Sequence, residues 1–209
     1  MNTLYTIGYA KHSLESFVTA LKKYGINAIA DVRSVPFSSF NNSFNKDSLN
    51  NYLKLNNIKY VFLGNECGAR FDDPACYSDG KADYKLIAKH SKFQDGLERI
   101  KQGSKKYTIA LMCAEDDPIN CHRMILICRN LKKSGLTIYH VLDNDKLESQ
   151  SESEQRLLKQ FKLNQLELFQ SEKDRLERAY DKQGEKIAYK EDSSNMKPNG
   201  EGNFINVRY

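Results

Sequence analysis

No apolar run in this 209-residue chain approaches the roughly 20 residues that a membrane-spanning helix needs, so no membrane partner is expected. The opening MNTLYTIGYA lacks a basic flank, a long apolar stretch and a small-residue cleavage site, and no signal peptide is expected. Cysteine is sparse. There are five, an odd number, with no short-spaced pairs. This argues against a disulfide framework and makes a reducing cytoplasm the expected location. Without Cys-x-x-Cys pairs, no metal site and no cofactor is expected; a cluster assembled from Cys113, Cys121, His122 and Cys67 is the alternative. Glycine-rich Walker loops and G-x-G-x-x-G are absent too. A phosphatase-type loop needs arginine six positions after its cysteine, but the residue six after Cys113 is Ile119. Internal repeats are also missing.

What is present suits one domain of ordinary size with length to spare. Hydrophobic residues are 40% of the chain, enough for a core, and charged residues at 28% solvate its surface. The net charge of +5 is uneven. Residues 149–209 hold 11 basic and 11 acidic residues, so the excess lies entirely in residues 1–148. That is compatible with an anionic ligand but too small to demand nucleic acid.

Residues 1–148 alternate apolar runs with helical patterns. Strands are expected at TLYTIG, NAIADVR, IKYVFL, KYTIALMC and LTIYHVLD. Helices are expected at LESFVTALKKYG, KDSLNNYLKLNN, YKLIAKHSKFQDGLERIKQG (in two pieces near Ser91) and PINCHRMILICRNLKKSG. A long polar loop fills residues 64–83. Such alternation predicts an α/β three-layer sandwich around a mainly parallel sheet of about five strands, buried on both faces. Residues 149–190 read as a charged helical extension, with stripes at Leu157, Leu158 and Phe161 and at Leu176, Ala179 and Tyr180; QLELF between them fits helix or strand. Residues 191–209 read as a flexible, dispensable tail.

Ligands of open parallel sheets bind beyond the carboxyl ends of the strands. The segments after strands are chemically unusual here: GYAKHS, RSVPFSSFNNSFN, GNECGAR and CAEDDPINCHR. Those before strands are ordinary helix stops. In the last unusual segment, Asp117 is a good N-cap and Pro118 suits the first helical position. The N–H groups of Ile119, Asn120 and Cys121 would then favour an anion, with Arg123 nearby. Cys121 in such a first turn would be acidified, with His122 beside it. Packing is the commoner fate of free thiols such as Cys113 and Cys121. Arg33, Arg70 and Arg123 follow three different strands and suit a phosphate or carboxylate. Asp31 and Arg33 share a face and read first as a structural ion pair. Gly68 permits a tight turn before Arg70, and Ser13 caps the first helix after His12. Tyr9, Phe37, Phe40, Phe44 and Tyr77 could stack bases, although Phe40 and Phe44 fit a core equally well.

The stretches TIGYAKHSLESF, DVRSVPFS, FNKDSLNNYL, IKYVFLGNECGAR, LMCAEDDPINCHR and YHVLDNDKLE together resemble the domain-of-unknown-function 488 family over roughly residues 3–150. The resemblance implies a cytoplasmic α/β protein and names no reaction. It singles out Gly8, Asp31, Arg33, Ser34, Pro36, Gly68, Cys113, Glu115, Cys121, His122, Arg123 and His140. Tyr9 stands where relatives often carry histidine, Cys67 interrupts a more usual Leu-Gly-Gly pattern, and Gln150 lies near another family histidine.

The expectation is therefore an enzyme acting on an anionic, nucleotide or nucleic-acid-derived substrate. Arg33, Arg70, Arg123, Ile119 and Asn120 would hold the anion. Cys113, Glu115, Cys121 and His122 would supply nucleophilic or acid–base chemistry, supported by Gly8, Tyr9, Asp31, Ser34 and Gly68. The rivals are a non-catalytic nucleotide or nucleic-acid-binding module and a purely structural cysteine cluster. The sequence leaves the oligomeric state open.

Overall fold

The first elements of the computed structural model are β1 (Thr3–Gly8), α1 (Leu14–Lys23), β2 (Ala28–Asp31), α2 (Lys46–Leu55), β3 (Lys59–Phe62) and α3 (Gly64–Cys67). A two-stranded hairpin follows, β4 (Tyr77–Ser78) and β5 (Lys81–Ala82), then α4 (Tyr84–Lys89), α5 (Ser91–Ser104) and β6 (Ile109–Cys113). The chain continues through α6 (Arg129–Leu131), β7 (Thr137–Val141), β8 (Leu147–Ser149), α7 (Gln150–Gln160) and α8 (Glu172–Ile187). The structure describes residues 2–39, 41–143, 146–165 and 170–191.

Six strands form the central sheet in the order β3-β2-β6-β1-β7-β8. The first five are parallel, and β8 joins antiparallel to β7. Helices cover both faces, as the alternation of strands and helices requires. β6 lies within the sheet and is buried along its whole length. Its alternation sorts the core. Ile109, Leu111 and Cys113 face the side covered by α4, α5, α7 and α8, while Ala110 and Met112 face α1 and α2. Cys113 is thereby aimed at the layer that carries Cys121 and Met124.

Ser13 caps α1, accepting from the Ser16 N–H at 3.2 Å, and Phe17, Val18, Ala20 and Leu21 are its buried face. The long helical pattern after residue 83 breaks at His90, which caps α5 with its ring.

The mainly parallel sheet of about five strands is borne out, with β8 added as a sixth, antiparallel strand. Three expectations need correction. The loop of residues 64–83 contains α3 and the β4–β5 hairpin. β3 is an edge strand with Val61 42% exposed, so YVFL is not buried on both faces. The expected helix after β6 is instead a three-residue 3-10 turn (Pro118–Asn120), a π-helical segment (Arg123–Cys128), α6 and a closing 3-10 turn.

The charged extension packs into the same core: Leu157, Leu158, Ala179 and Tyr180 join the cluster of Leu111 and Cys113. A capping box of Ser149 and Glu152 opens α7. Gln183 donates to the Ile119 carbonyl at 2.8 Å, tying α8 to the turn after β6. Most of QLELF, the tail beyond Glu191 and Phe40 lie outside the described residues. Glu191 itself donates its N–H to the Gly80 carbonyl at 2.8 Å.

Candidate functional site

The segments that follow β1, β2, β3 and β6 meet in one cleft of about 380 Å³. Tyr9 comes from the first, Arg33, Ser34, Val35, Phe37 and Ser38 from the second, Ala69 and Arg70 from the third, and Cys113, Glu115 and His122 from the fourth. Ile187 and Tyr189, from the end of α8 and just beyond, close one side.

At the inner end, one ligand-capable atom each from Cys113, Glu115, Cys121 and His122 lies within 4.8 Å of the other three. His122 Nδ1 stands 3.7 Å from Cys113 Sγ and 3.8 Å from Cys121 Sγ. Its Nε2 is 3.0 Å from the Val32 carbonyl oxygen, which can only accept. Nε2 therefore carries the proton, and in the neutral ring Nδ1 turns its lone pair toward both sulfurs. Cys121 Sγ is 2.9 Å from Glu115 Oε2. The cysteines and the histidine are buried, whereas Glu115 is exposed.

This crowding separates the groups' acidities. Contact with Cys121, together with burial, drives the Cys113 thiol well above its ordinary value. Burial also pushes Cys121 upward, but hydrogen bonding from Cys113 and the positive charges of Arg123 and His122 outweigh it and hold that thiol well below. Glu115 is raised, by burial of its carboxyl group and by Cys121. His122 is raised despite burial because Cys121 faces it. The two thiols are thereby set apart, with Cys121 the more acidic of the pair. Cys67 is not part of this cluster; burial pushes its thiol up to about 12.

On the facing wall, Arg33 donates to both carboxylate oxygens of Asp31, Nε to Oδ1 at 2.9 Å and Nη2 to Oδ2 at 2.6 Å. Nη2 also donates to the Phe44 carbonyl, and Tyr60 donates to Asp31 Oδ2 at 2.7 Å. The guanidinium lies 5.0 Å from the Tyr9 ring centroid, and Tyr9 stacks on Phe44. Arg33 Nη1 is buried with no hydrogen-bond partner among the described residues. Ser34 accepts from the Arg70 N–H at 2.8 Å, while the Arg70 guanidinium covers the Tyr189 ring at 4.5 Å. Gly68 permits this join, because a Cβ there would stand 2.5 Å from Ser34 Oγ and 2.4 Å from the Gly64 carbonyl oxygen.

Three expected anion contacts are not brought to the cleft. Arg123 is fully buried, and its donors are spent on Thr6 Oγ1 and the carbonyls of Glu115 and Asp116. The Ile119 N–H donates to Asp117 Oδ1, the Asn120 N–H to the Asp117 carbonyl and the Cys121 N–H to the Pro118 carbonyl. The Asp117-Pro118 start makes only a three-residue turn, which consumes the amides a long helix would leave free. Gly8 is structural: it pairs with Cys113 across the sheet, and a Cβ on it would stand 1.9 Å from the Glu115 carbonyl oxygen. His140 lies away from the cleft, between Thr6 and Gln150. Of the expected aromatics, Tyr9 and Phe44 are core, Tyr77 donates to the Phe71 carbonyl, and Phe37 at the cleft is 58% exposed.

Sequence reasoning missed Thr6, Tyr60, Ile187 and Tyr189. Thr6, a polar residue in an apolar strand, carried a readable signal; the others did not. The described residues include no helix long and apolar enough to cross a membrane.

No curated protein and no solved structure matches the chain. The family model described as "Domain of unknown function DUF488" matches residues 13–129, more than half of the sequence and including every residue of the Cys113–Glu115–Cys121–His122 cluster. The chain belongs to the DUF488 family.

Proposed function

We propose that the protein is an enzyme acting on a small anionic substrate of nucleotide type, bound in the cleft at the carboxyl ends of β1, β2, β3 and β6. One juxtaposition carries this reading: the cleft that contains Arg33, with its unsatisfied buried Nη1, is also lined by Cys113, Glu115 and His122. A buried N–H donor without a partner is costly and is normally satisfied. An anionic oxygen would satisfy it, and Arg70 on the same wall would add charge. Phe37 offers an exposed ring on which a base can stack. The volume lies at the lower end of the range of small-molecule sites. In this reading the Cys113–Glu115–Cys121–His122 cluster performs the chemistry and Arg33 and Arg70 orient the substrate.

Calorimetric titration with nucleoside monophosphates and inorganic phosphate, followed by product analysis, tests the proposal. Binding should weaken at least about tenfold in Arg70→Ala, equivalent to roughly 1.4 kcal/mol. Turnover should vanish in Glu115→Gln while binding persists. Binding without turnover in the wild type would identify a binding module instead, and binding indifferent to Arg70→Ala would remove the ligand from this cleft.

A further inference from the structure

We infer that Cys113, Cys121, His122 and Glu115 form a mononuclear metal site for a divalent cation of zinc type, with three buried ligands and one, Glu115, at the solvent edge. The sequence spacing argued against such a site, and the fold supplies what the spacing lacks. Cys113 ends β6, whereas Cys121 and His122 come back over it after the Pro118 turn. Their donor atoms converge although they are eight and nine residues further along the chain.

The distances suit the ion. Zn–S bonds of about 2.3 Å and Zn–N bonds of about 2.0–2.1 Å at a tetrahedral angle put sulfur and nitrogen about 3.6 Å apart. The observed separations are 3.7 and 3.8 Å. Glu115 Oε2, at 2.9 Å from Cys121 Sγ, is closer than a shared metal would leave it, and as the exposed member it is the ligand free to turn.

Outer contacts point the same way. Histidine ligands commonly donate their second ring N–H to a carbonyl or carboxylate, which fixes the ring. His122 does this with Val32. The Arg123 N–H reaches Cys121 Sγ at 3.5 Å. Charge is compatible with the ion. The Arg123 guanidinium is buried, donates to uncharged oxygens of Thr6, Glu115 and Asp116, and has the sulfur of Cys121 as its nearest acidic group in the cluster. Two thiolates, one carboxylate and a divalent cation carry a net single negative charge, which balances Arg123. Buried charges are normally compensated in this way.

A zinc that meets substrate keeps three protein ligands and an open fourth position; here the three buried ligands supply the former, and the exposed Glu115, by turning to solvent, would free the latter. Glu115 and His122 line the same cleft as Arg33. The metal site stands on the geometry of the cluster; its catalytic use rests on the reading proposed above.

The test uses the full chain and the metal alone. Elemental analysis of the purified protein should find one zinc per chain. After chelation and dialysis, Co²⁺ titration should give intense ligand-field bands of a tetrahedral ion and a thiolate charge-transfer band, saturating at one equivalent. Cys113→Ser and Cys121→Ser should weaken the charge-transfer band. Should those variants fail to fold, Glu115→Ala, an exposed change, serves. It should retain sulfur coordination and bind at least about 10–100-fold more weakly, the scale of losing even an outer-shell partner. Wild-type protein that takes up neither ion, or a Co²⁺ spectrum without thiolate character, overturns the metal site. Phosphate titration of the metal-free and loaded forms separates the two readings: a metal without any anion binding leaves this site standing and sinks the substrate proposal, and the converse result does the reverse.

Discussion

Arg123 Nε donates to Thr6 Oγ1 at 3.2 Å, and this one contact fastens the segment after β6 to the middle of β1. The same guanidinium reaches the carbonyls of Glu115 and Asp116, so a single buried side chain sets the path of the loop that presents Glu115. Arg123→Met should therefore cost at least about 3 kcal/mol, since each buried acceptor left unpaired costs about 1–3 kcal/mol. Arg123→Lys should not restore it, because an ammonium cannot span three acceptors with fork geometry. Denaturant melts of the three proteins check this. A cost near zero would mean that the arginine is dispensable to the fold and free to serve a ligand.

Asp31 holds two donors, Arg33 and Tyr60, which differ in how exposed they are and in what they leave behind. Asp31→Ala strands a buried guanidinium and should cost about 3–5 kcal/mol. Tyr60→Phe removes only one hydrogen bond to a charged acceptor and should cost about 1.5 kcal/mol. Equal losses in urea titrations would show that Asp31 and Arg33 do not act as a buried pair.

Gly8 lies where the loop after β6 passes against the end of β1. Its missing Cβ leaves room for the Glu115 carbonyl and the Asp116 backbone, neither of which is a flexible side-chain tip. Gly8→Ala should cost at or above the roughly 1–3 kcal/mol typical of overpacking, and should displace Glu115. Thermal melts, together with the Co²⁺ spectrum of the same variant, check both halves. A stable protein with an unchanged spectrum would place the loop elsewhere.

The sequence revealed the sheet and which segments meet in one cleft because the post-strand segments GYAKHS, RSVPFS and CAEDDPINCHR are polar among strongly apolar strands. It concealed β8, which has three residues and includes Glu148, and the β4–β5 hairpin, whose strands have two residues each. Such short strands carry no readable period. RMILIC reads as helix from its apolar run, and nothing in that run distinguishes the π-helical winding it takes in the fold from an α-helix. Arg123 was indistinguishable from a ligand clamp, since nothing local to Arg123 records that Thr6, 117 residues away, would face it. The convergence of Cys113, Glu115, Cys121 and His122 was hidden for the same reason: donor atoms that meet after a turn leave no short-spaced motif.

His140 gives the fold a pH dependence that is separable from the site. Its ring is fully buried, with Nδ1 2.8 Å from Thr6 Oγ1 and Nε2 2.9 Å from Gln150 Oε1. The Gln150 oxygen accepts, so Nε2 carries the proton and Nδ1 accepts from Thr6, whose oxygen in turn accepts from Arg123. Burial, then the charge of Arg123, lowers the imidazole from 6.5 to about 3; Arg156 adds to this, while Gln150 opposes it. In the unfolded chain the ring takes its proton near pH 6.5. Between those values the unfolded state binds more protons, so stability is intact above about pH 6.5 and falls as the pH drops toward 3. A fully effective group contributes a slope of roughly 1.4 kcal/mol per pH unit within that window. His140→Gln should flatten this slope even if its stability at pH 7 is lower. Urea midpoints across pH 4–7 for both proteins measure it, and parallel profiles would mean that His140 is not held neutral in the fold.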